Sequence, residues 1–107
     1  MSGAPEITVV VPVRDGAASL PPLLASLAGQ TLARERFEVI VVDNGSRDAT
    51  AAVAREGGAR VVTEPVANRA RARNAGIAAA RAPLVAFTDA DCVAAPGWLE
   101  ALLACRD

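Results

Sequence analysis

The stretch that decides the fold is FEVIVVDNGS at residues 37–46, in which an apolar run leads directly into turn-forming residues. Residues 37–42 are almost wholly apolar and rich in β-branched side chains, as expected for a parallel strand that is covered on both faces. The four residues that follow, Asp-Asn-Gly-Ser, favour a tight turn. The stretch therefore predicts a buried strand whose carboxyl end opens into a polar loop.

Similar strands, alternating with helices, are predicted on both sides of this stretch. Pro12 is expected to end the first strand, and Ser19 followed by two prolines is expected to begin the first helix as its N-cap. Alternating strands and helices imply right-handed crossovers and a parallel sheet. The sequence predicts an α/β fold, a Rossmann-like three-layer α/β/α arrangement around a mainly parallel four-stranded sheet. The remaining predicted strands are 7–11, 60–63 and 84–88, and the predicted helices are 20–29, 48–56, 69–81 and one opening at Pro96.

Composition excludes several classes of function. The chain has 107 residues, which we expect to form a single domain over 1–107, and a net charge of −1, which argues against nonspecific nucleic-acid binding. It contains no His, Lys or Tyr, so a Ser-His-Asp triad, a His-ligated zinc and a Lys Schiff base are excluded. Cys92 and Cys105 are expected to be reduced thiols of a cytoplasmic protein. Residues 1–6 lack the basic-then-apolar order expected of a signal peptide, and the sequence contains no apolar run of about 20 residues.

Two acidic side chains follow the fourth predicted strand, at Asp89 and Asp91. In a parallel sheet, ligands bind beyond the carboxyl ends of the strands, and residues at i and i+2 point the same way. Neighbouring carboxylates repel one another unless a cation lies between them, and carboxylate oxygens suit Mg²⁺ or Mn²⁺. The pair is interpreted either as a metal site or as turn-forming and capping residues. Cys92 beside it has no partner that would make it a nucleophile or a soft-metal ligand.

Three arginines open the third predicted helix, at Arg69, Arg71 and Arg73. Cations at a helix N-terminus oppose the helix dipole, which is understandable where an anion binds. Arg69 and Arg73 share a face, whereas Arg71 does not. The alternative is a solvated charged surface. Gly76, inside the same helix, is interpreted as a site of close packing against a strand or a ligand.

Two loops supply further candidates. Asp43 either accepts a hydrogen bond from a nucleotide base or caps its own turn, and Ser46 is a candidate cap for the next helix. Arg14 either stacks its guanidinium on a base or lies free on the surface. Neither a Gly-x-Gly-x-x-Gly nor a Gly-x-x-x-x-Gly-Lys motif follows a strand, which disfavours dinucleotide oxidoreductases and P-loop proteins.

Taken in order, the motifs resemble those of family-2 glycosyltransferases of the GT-A fold. The resemblance covers nearly all of residues 6–104. It rests on the segments VVVP at 9–12, GQT at 29–31, FEVIVVDNGSRD at 37–48, ARNAG at 72–76, AFTDAD at 86–91 and PGWL at 96–99.

The resemblance implies transfer of a sugar from a UDP- or GDP-sugar to an acceptor hydroxyl, with inversion at the anomeric carbon. It implies Mn²⁺ or Mg²⁺ held by Asp91 and Asp89, with Asp89 contacting either the ribose or a water bound to the metal. The metal would stabilise the departing diphosphate. Asn44 and Arg14-Asp15-Gly16 depart from the family pattern, which often has two acids and an aromatic with an Asn-Glu pair at these places. Together with the two arginines that share a face of the third helix, the predicted nucleotide-binding residues are Pro12, Val13, Arg14, Asp43, Asn44, Arg69, Arg73 and Asp89.

Members of the family carry the catalytic base and the acceptor site in a second half. We therefore expect this chain to be the donor-nucleotide half of a longer cell-envelope enzyme, with its base beyond residue 107 and other regions holding it at the inner face of a membrane. The acceptor, a sugar, lipid or peptide, is not indicated. Alternatives are a noncatalytic nucleotide-binding module or a sugar-nucleotidyltransferase. An exposed sheet edge is expected, with low stability or pairing between two copies.

Overall fold

A single parallel sheet organises the chain in the computed structural model, which describes residues 3–106. The strands, in spatial order β3-β2-β1-β4, all run parallel, so the predicted α/β architecture is confirmed. β1 and β2 pair along their whole length, from Ile7 opposite Phe37 to Val13 opposite Asp43. The strands are β1 (Ile7–Val13), β2 (Phe37–Asp43), β3 (Arg60–Thr63) and β4 (Leu84–Phe87).

Helices cover both faces of the sheet and give it the predicted three layers. Three helices pack on one face, where Leu20, Leu23, Leu24 and Leu27 of the first helix join the larger apolar core. The third helix packs alone on the other face against Val10, Ile40 and Val42. The helices are α1 (Leu20–Ala28), α2 (Thr50–Glu56), α3 (Arg69–Ala79) and α4 (Trp98–Ala104), with a short 3-10 helix at Arg34–Arg36.

The prediction that Pro12 ends the first strand is wrong, since β1 continues to Val13 and Pro12 lies opposite Val42. The carbonyl of Val10 accepts a hydrogen bond from Thr88 on the β4 side, and alternate residues direct their backbone groups the same way. Pro12 therefore turns its nitrogen towards the β4 side, beyond the end of that strand. The missing N–H costs no ladder hydrogen bond there.

The starts of two helices also differ from the predictions. α2 begins at Thr50 because Asp48 lies before the helix and accepts a hydrogen bond from the Thr50 N–H at 3.0 Å. α4 begins at Trp98, two residues after Pro96. Ser19 precedes α1, as expected, but its side chain makes no capping hydrogen bond. Within residues 3–106, no helix has the length and apolar character needed to cross a membrane.

At the amino end of the sheet, one carboxylate links neighbouring strands and the end of α3. Glu38 accepts hydrogen bonds from the Thr8 hydroxyl at 2.6 Å, from the backbone N–H of Arg81 at 2.6 Å and from Arg60 at 3.1 Å. Burial raises the pKa of the Glu38 carboxyl, but these donors outweigh it and hold the pKa below its usual value. The Arg81 bond takes that N–H out of the helical pattern, so α3 ends at Ala79 rather than at the predicted residue 81.

Candidate functional site

Three adjoining cavities open at the carboxyl ends of β1, β2 and β4, and Pro12 lines all of them. Their volumes are about 340, 360 and 360 Å³. This is the edge of a parallel sheet at which ligands bind. Of the residues predicted to bind nucleotide or metal, all except Asp43 line at least one cavity: Pro12, Val13, Arg14, Asn44, Arg69, Arg73, Asp89 and Asp91.

The acidic pair stands on a turn directly after β4. The Cys92 N–H donates to the Asp89 carbonyl at 3.1 Å, which closes the turn through the backbone alone. One ligand atom from each of Asp89, Asp91 and Cys92 lies within 4.8 Å of the others, and all three side chains are exposed. Among residues 3–106, the Asp89 carboxylate has no hydrogen-bonding or ionic partner, and Asp91 contacts only the Cys92 thiol at 4.0 Å. Neither carboxylate therefore caps a helix or fastens the loop.

The donor set of this turn fits a hard divalent cation. Two exposed carboxylates a few ångströms apart offer the oxygen ligands that Mg²⁺ and Mn²⁺ take, and leave room for waters or phosphate oxygens in the other positions. The adjacent Cys92 sulfur is a softer donor that this type of cation does not require. Asp89 and Asp91 are thus the residues that could hold a metal, and their carboxylates do not have the capping role that the sequence left as the alternative.

The loop after β1 is held in place by side chains that follow β2. The successive N–H groups of residues 15, 16 and 17 donate to the side-chain oxygens of Ser46, Thr50 and Asp48, at 2.8, 3.0 and 3.1 Å. Ser46 therefore binds the neighbouring loop and does not cap α2. The pKa of Asp48 is lowered, because the Thr50 hydroxyl and backbone N–H groups donate to its carboxylate and outweigh its limited desolvation. The sequence did not predict that side chains at every second residue from 46 to 50 would accept hydrogen bonds from this loop.

Asn44 is buried and its side chain is fully used within the protein. Its amide group donates to the carbonyls of Glu64 and Val66 at 2.9 and 2.7 Å, and its oxygen accepts from the Asn68 N–H at 3.1 Å. These bonds fix the segment that leads from β3 into α3. Two carbonyls require two donors, which a carboxylate lacks, so the departure from the family pattern at Asn44 has a physical reason.

Asp43 and the three arginines of α3 have separate environments. Asp43 accepts from the Ser46 N–H at 3.0 Å, which is the turn-capping alternative considered for this residue. Arg71 pairs with Glu64 at 3.4 Å. Arg69 and Arg73 line the cavity that also contains Asp89, as expected from their shared face, and neither pairs with a carboxylate among the described residues. The cavity therefore presents two cations beside the acidic turn.

Two residues of the site were missed in the sequence. Asn68 caps α3 by accepting from the Arg71 N–H at 2.9 Å, and its place just before the Arg-rich helix is a usual N-cap signal. Phe87, the last residue of β4, lines the same cavity as Asp89, and the Arg73 guanidinium carbon lies 4.3 Å from its ring centroid. No sequence pattern indicated that contact.

The sequence model described as glycosyl transferase family 2 matches residues 8–104. This chain belongs to glycosyltransferase family 2. The curated validoxylamine A glucosyltransferase of Streptomyces hygroscopicus subsp. jinggangensis is 42% identical over 96% of this chain, which spans 26% of that protein's length. The chain thus spans about a quarter of the length of this curated relative.

Solved structures support the same assignment. S. aureus TarS 1–349 in complex with UDP-GlcNAc matches with a TM-score of 0.86 and 27% identity, over 92% of this chain and 30% of that one. The mannosyltransferase PcManGT of Pyrobaculum calidifontis, in complex with GDP-Man and Mn²⁺, matches with a TM-score of 0.79 and 29% identity, over 87% of this chain and 30% of that one. The GT-A type of fold expected from the sequence is therefore confirmed.

Proposed function

We propose that this chain is the donor-binding part of an inverting glycosyltransferase that takes a sugar from a UDP- or GDP-sugar in the presence of Mn²⁺ or Mg²⁺. The observation that carries the proposal is the pair of exposed carboxylates, Asp89 and Asp91, at the carboxyl edge of a parallel sheet, which within residues 3–106 have no partner other than the Cys92 thiol beside Asp91. Relatives of similar fold bind UDP-GlcNAc and, with Mn²⁺, GDP-Man.

Different residues of the site would bind different parts of such a donor. Asp91 and Asp89 would hold the cation, which when bound supplies positive charge to the diphosphate leaving group. Arg69 and Arg73 offer further donors to phosphate oxygens on the other side of the cavity. Pro12, Val13 and Arg14 line the wall towards Asn44, where the nucleoside would lie.

Asp43 and Asn44 have different roles in this proposal. Asp43 uses one carboxylate oxygen, Oδ1, for its turn, so the other can accept from a base N–H. Asn44 acts by positioning, because its hydrogen bonds fix the backbone at Val66 and Asn68 beside the same wall.

The step that the chain supports is departure of the nucleoside diphosphate. Activation of the acceptor hydroxyl is assigned to residues outside this chain.

Calorimetric titration of the 107-residue chain with UDP and with GDP, each with and without Mn²⁺, tests the proposal. We expect one nucleotide to bind and Mn²⁺ to tighten its binding at least tenfold, and Asp91→Asn to abolish the metal effect. Glu56→Gln removes an equal charge at the end of α2, away from the site, and should behave as wild type. Absence of binding, or binding indifferent to the metal, would refute the proposal.

A further inference from the structure

The contact between Phe87 and Arg73 carries an inference about how the site is prepared for an anion. The guanidinium carbon of Arg73 lies 4.3 Å from the centroid of the Phe87 ring, within the range of a cation–π interaction. Phe87 is the last residue of β4 and is half-buried, so its ring is anchored in the sheet. Arg73 lies in the first half of α3, on the helix that packs over β1 and β2.

A ring and a carboxylate restrain an arginine in different ways. A carboxylate partner accepts hydrogen bonds from the edge of the guanidinium and consumes donors, as Glu64 does with Arg71 at 3.4 Å. An aromatic face attracts the cation without accepting its N–H bonds, so the guanidinium donors stay available. Within residues 3–106, the Arg73 side chain has no ion pair or hydrogen bond, which leaves its guanidinium donors unused.

The position of the contact indicates which kind of ligand Arg73 would bind. Phe87, Arg73, Arg69 and Asp89 line one cavity of about 340 Å³ at the edge of the sheet. Two unpaired cations in that cavity balance an anion that carries more than one negative charge. A diphosphate bridged to the acidic turn by a divalent cation meets that description.

From this geometry, we infer that Phe87 is a positioning residue, whose ring holds Arg73 in the cavity with its N–H donors directed to the diphosphate of the donor. The inference rests on the proposed function and adds a residue that does not itself need to touch the nucleotide. Without the ring, Arg73 is an exposed side chain on a helix surface and must lose rotamer freedom each time the ligand binds.

A double-mutant cycle of Phe87→Leu and Arg73→Met, read by UDP or GDP titration in Mn²⁺, tests the inference. We expect Phe87→Leu alone to weaken binding about three- to tenfold, in line with a partly exposed cation–π contact. Phe87→Tyr retains the ring face and should restore binding to within about twofold of wild type. On the Arg73→Met background, Phe87→Leu should have no further effect.

A spectroscopic signature separates positioning from general support of the fold. The side-chain Nε–H resonance of Arg73 should be shifted upfield by the ring current in the wild type and should lose that shift in Phe87→Leu. The inference would be overturned if Phe87→Leu weakened binding equally in the wild type and in Arg73→Met. It would also be overturned if Arg73→Met bound the nucleotide as tightly as the wild type does. Either result would leave the proposed function standing, whereas a wild type that binds neither nucleotide would refute both.

Discussion

The carboxylate of Asp15 accepts a hydrogen bond from the backbone N–H of Arg47 at 2.7 Å, and in return the Asp15 N–H donates to Ser46 at 2.8 Å. These reciprocal bonds join the loop after β1 to the loop after β2. Asp15 adopts a φ of 54°, in the left-handed region that Asp and Asn enter more readily than most residues. The loop that carries Arg14 is therefore fastened to the loop after β2 through residue 15.

We expect Asp15→Ala to destabilise the protein by about 1–2 kcal/mol, because the bond to Arg47 is lost and Ala is strained at positive φ. Asp15→Asn keeps both an acceptor oxygen and the tolerance for this conformation, and should remain within about 0.5 kcal/mol of wild type. Urea denaturation of the three proteins measures the differences. Equal loss in both variants would show that the carboxylate charge, rather than the hydrogen bond, is what matters.

Replacement of Asn44 by Asp should be costly although the two side chains have the same shape. The carbonyls of Glu64 and Val66 would lose their donors and face a carboxylate, which we expect to cost about 1–3 kcal/mol at neutral pH. Asn74→Asp, on the exposed surface of α3, is the matched control and should change stability little. Denaturant melts of both variants at pH 7 measure the costs, and comparable values would contradict the assigned role of Asn44.

Close packing of α3 on the sheet requires Gly76, as expected from the interpretation of this residue as a site of close approach to a strand. A Cβ at this position would lie 2.3 Å from Cγ1 of Val10, which is fully buried in β1. Gly76→Ala should therefore destabilise by about 1–3 kcal/mol, despite a gain of about 1 kcal/mol in helix propensity. Gly97→Ala meets nothing within 4 Å and should be close to neutral. Thermal melts of the two variants check this, and a stable Gly76→Ala protein would argue against the close approach.

The Glu38 network predicts a loss of stability in acid. The pKa of Glu38 is below its usual value of 4.5 in the folded protein, so its contribution is complete above about pH 4.5 and is lost as the pH falls through the folded pKa. The melting temperature of Glu38→Gln should accordingly lie below that of wild type at pH 7, and the two should converge below pH 4.5. Glu35→Gln, an exposed change nearby, should keep a constant offset. The prediction would be contradicted if the difference in melting temperature between wild type and Glu38→Gln stayed the same below pH 4.5.

The outer edge of β4 predicts association between copies. β4 is an edge strand without charged residues, and alternation with Thr88, which bonds to β1, places the N–H groups of Val85 and Phe87 on the outside. We expect sedimentation velocity to show dimers at rising concentration, and Val85→Pro to prevent them, because its missing N–H faces outwards. A wild type that stays monomeric throughout would contradict the prediction.

Local signals predicted the strands and the placement of the site, and contacts between distant segments account for what was missed. The apolar run before Asp43 indicated a buried strand, and the acids after β4 indicated a ligand edge, because both depend on neighbours in sequence. The end of α3 depends on Glu38, which is 43 residues from Arg81, and the contact of Phe87 with Arg73 depends on how α3 is placed on the sheet. Such pairings follow from tertiary packing, which residue patterns do not encode.

The Glu38 network and the candidate ligand cavities lie at opposite ends of the same strands. Residues that fasten the amino end, such as Thr8 and Arg60, have no part in the cavities at the other end. Substitutions around Pro12 and Arg14 can therefore alter the cavities while the contacts at the amino end of the sheet stay unchanged. This separation would let the ligand preference of the cavities change while the contacts that stabilise the sheet are kept.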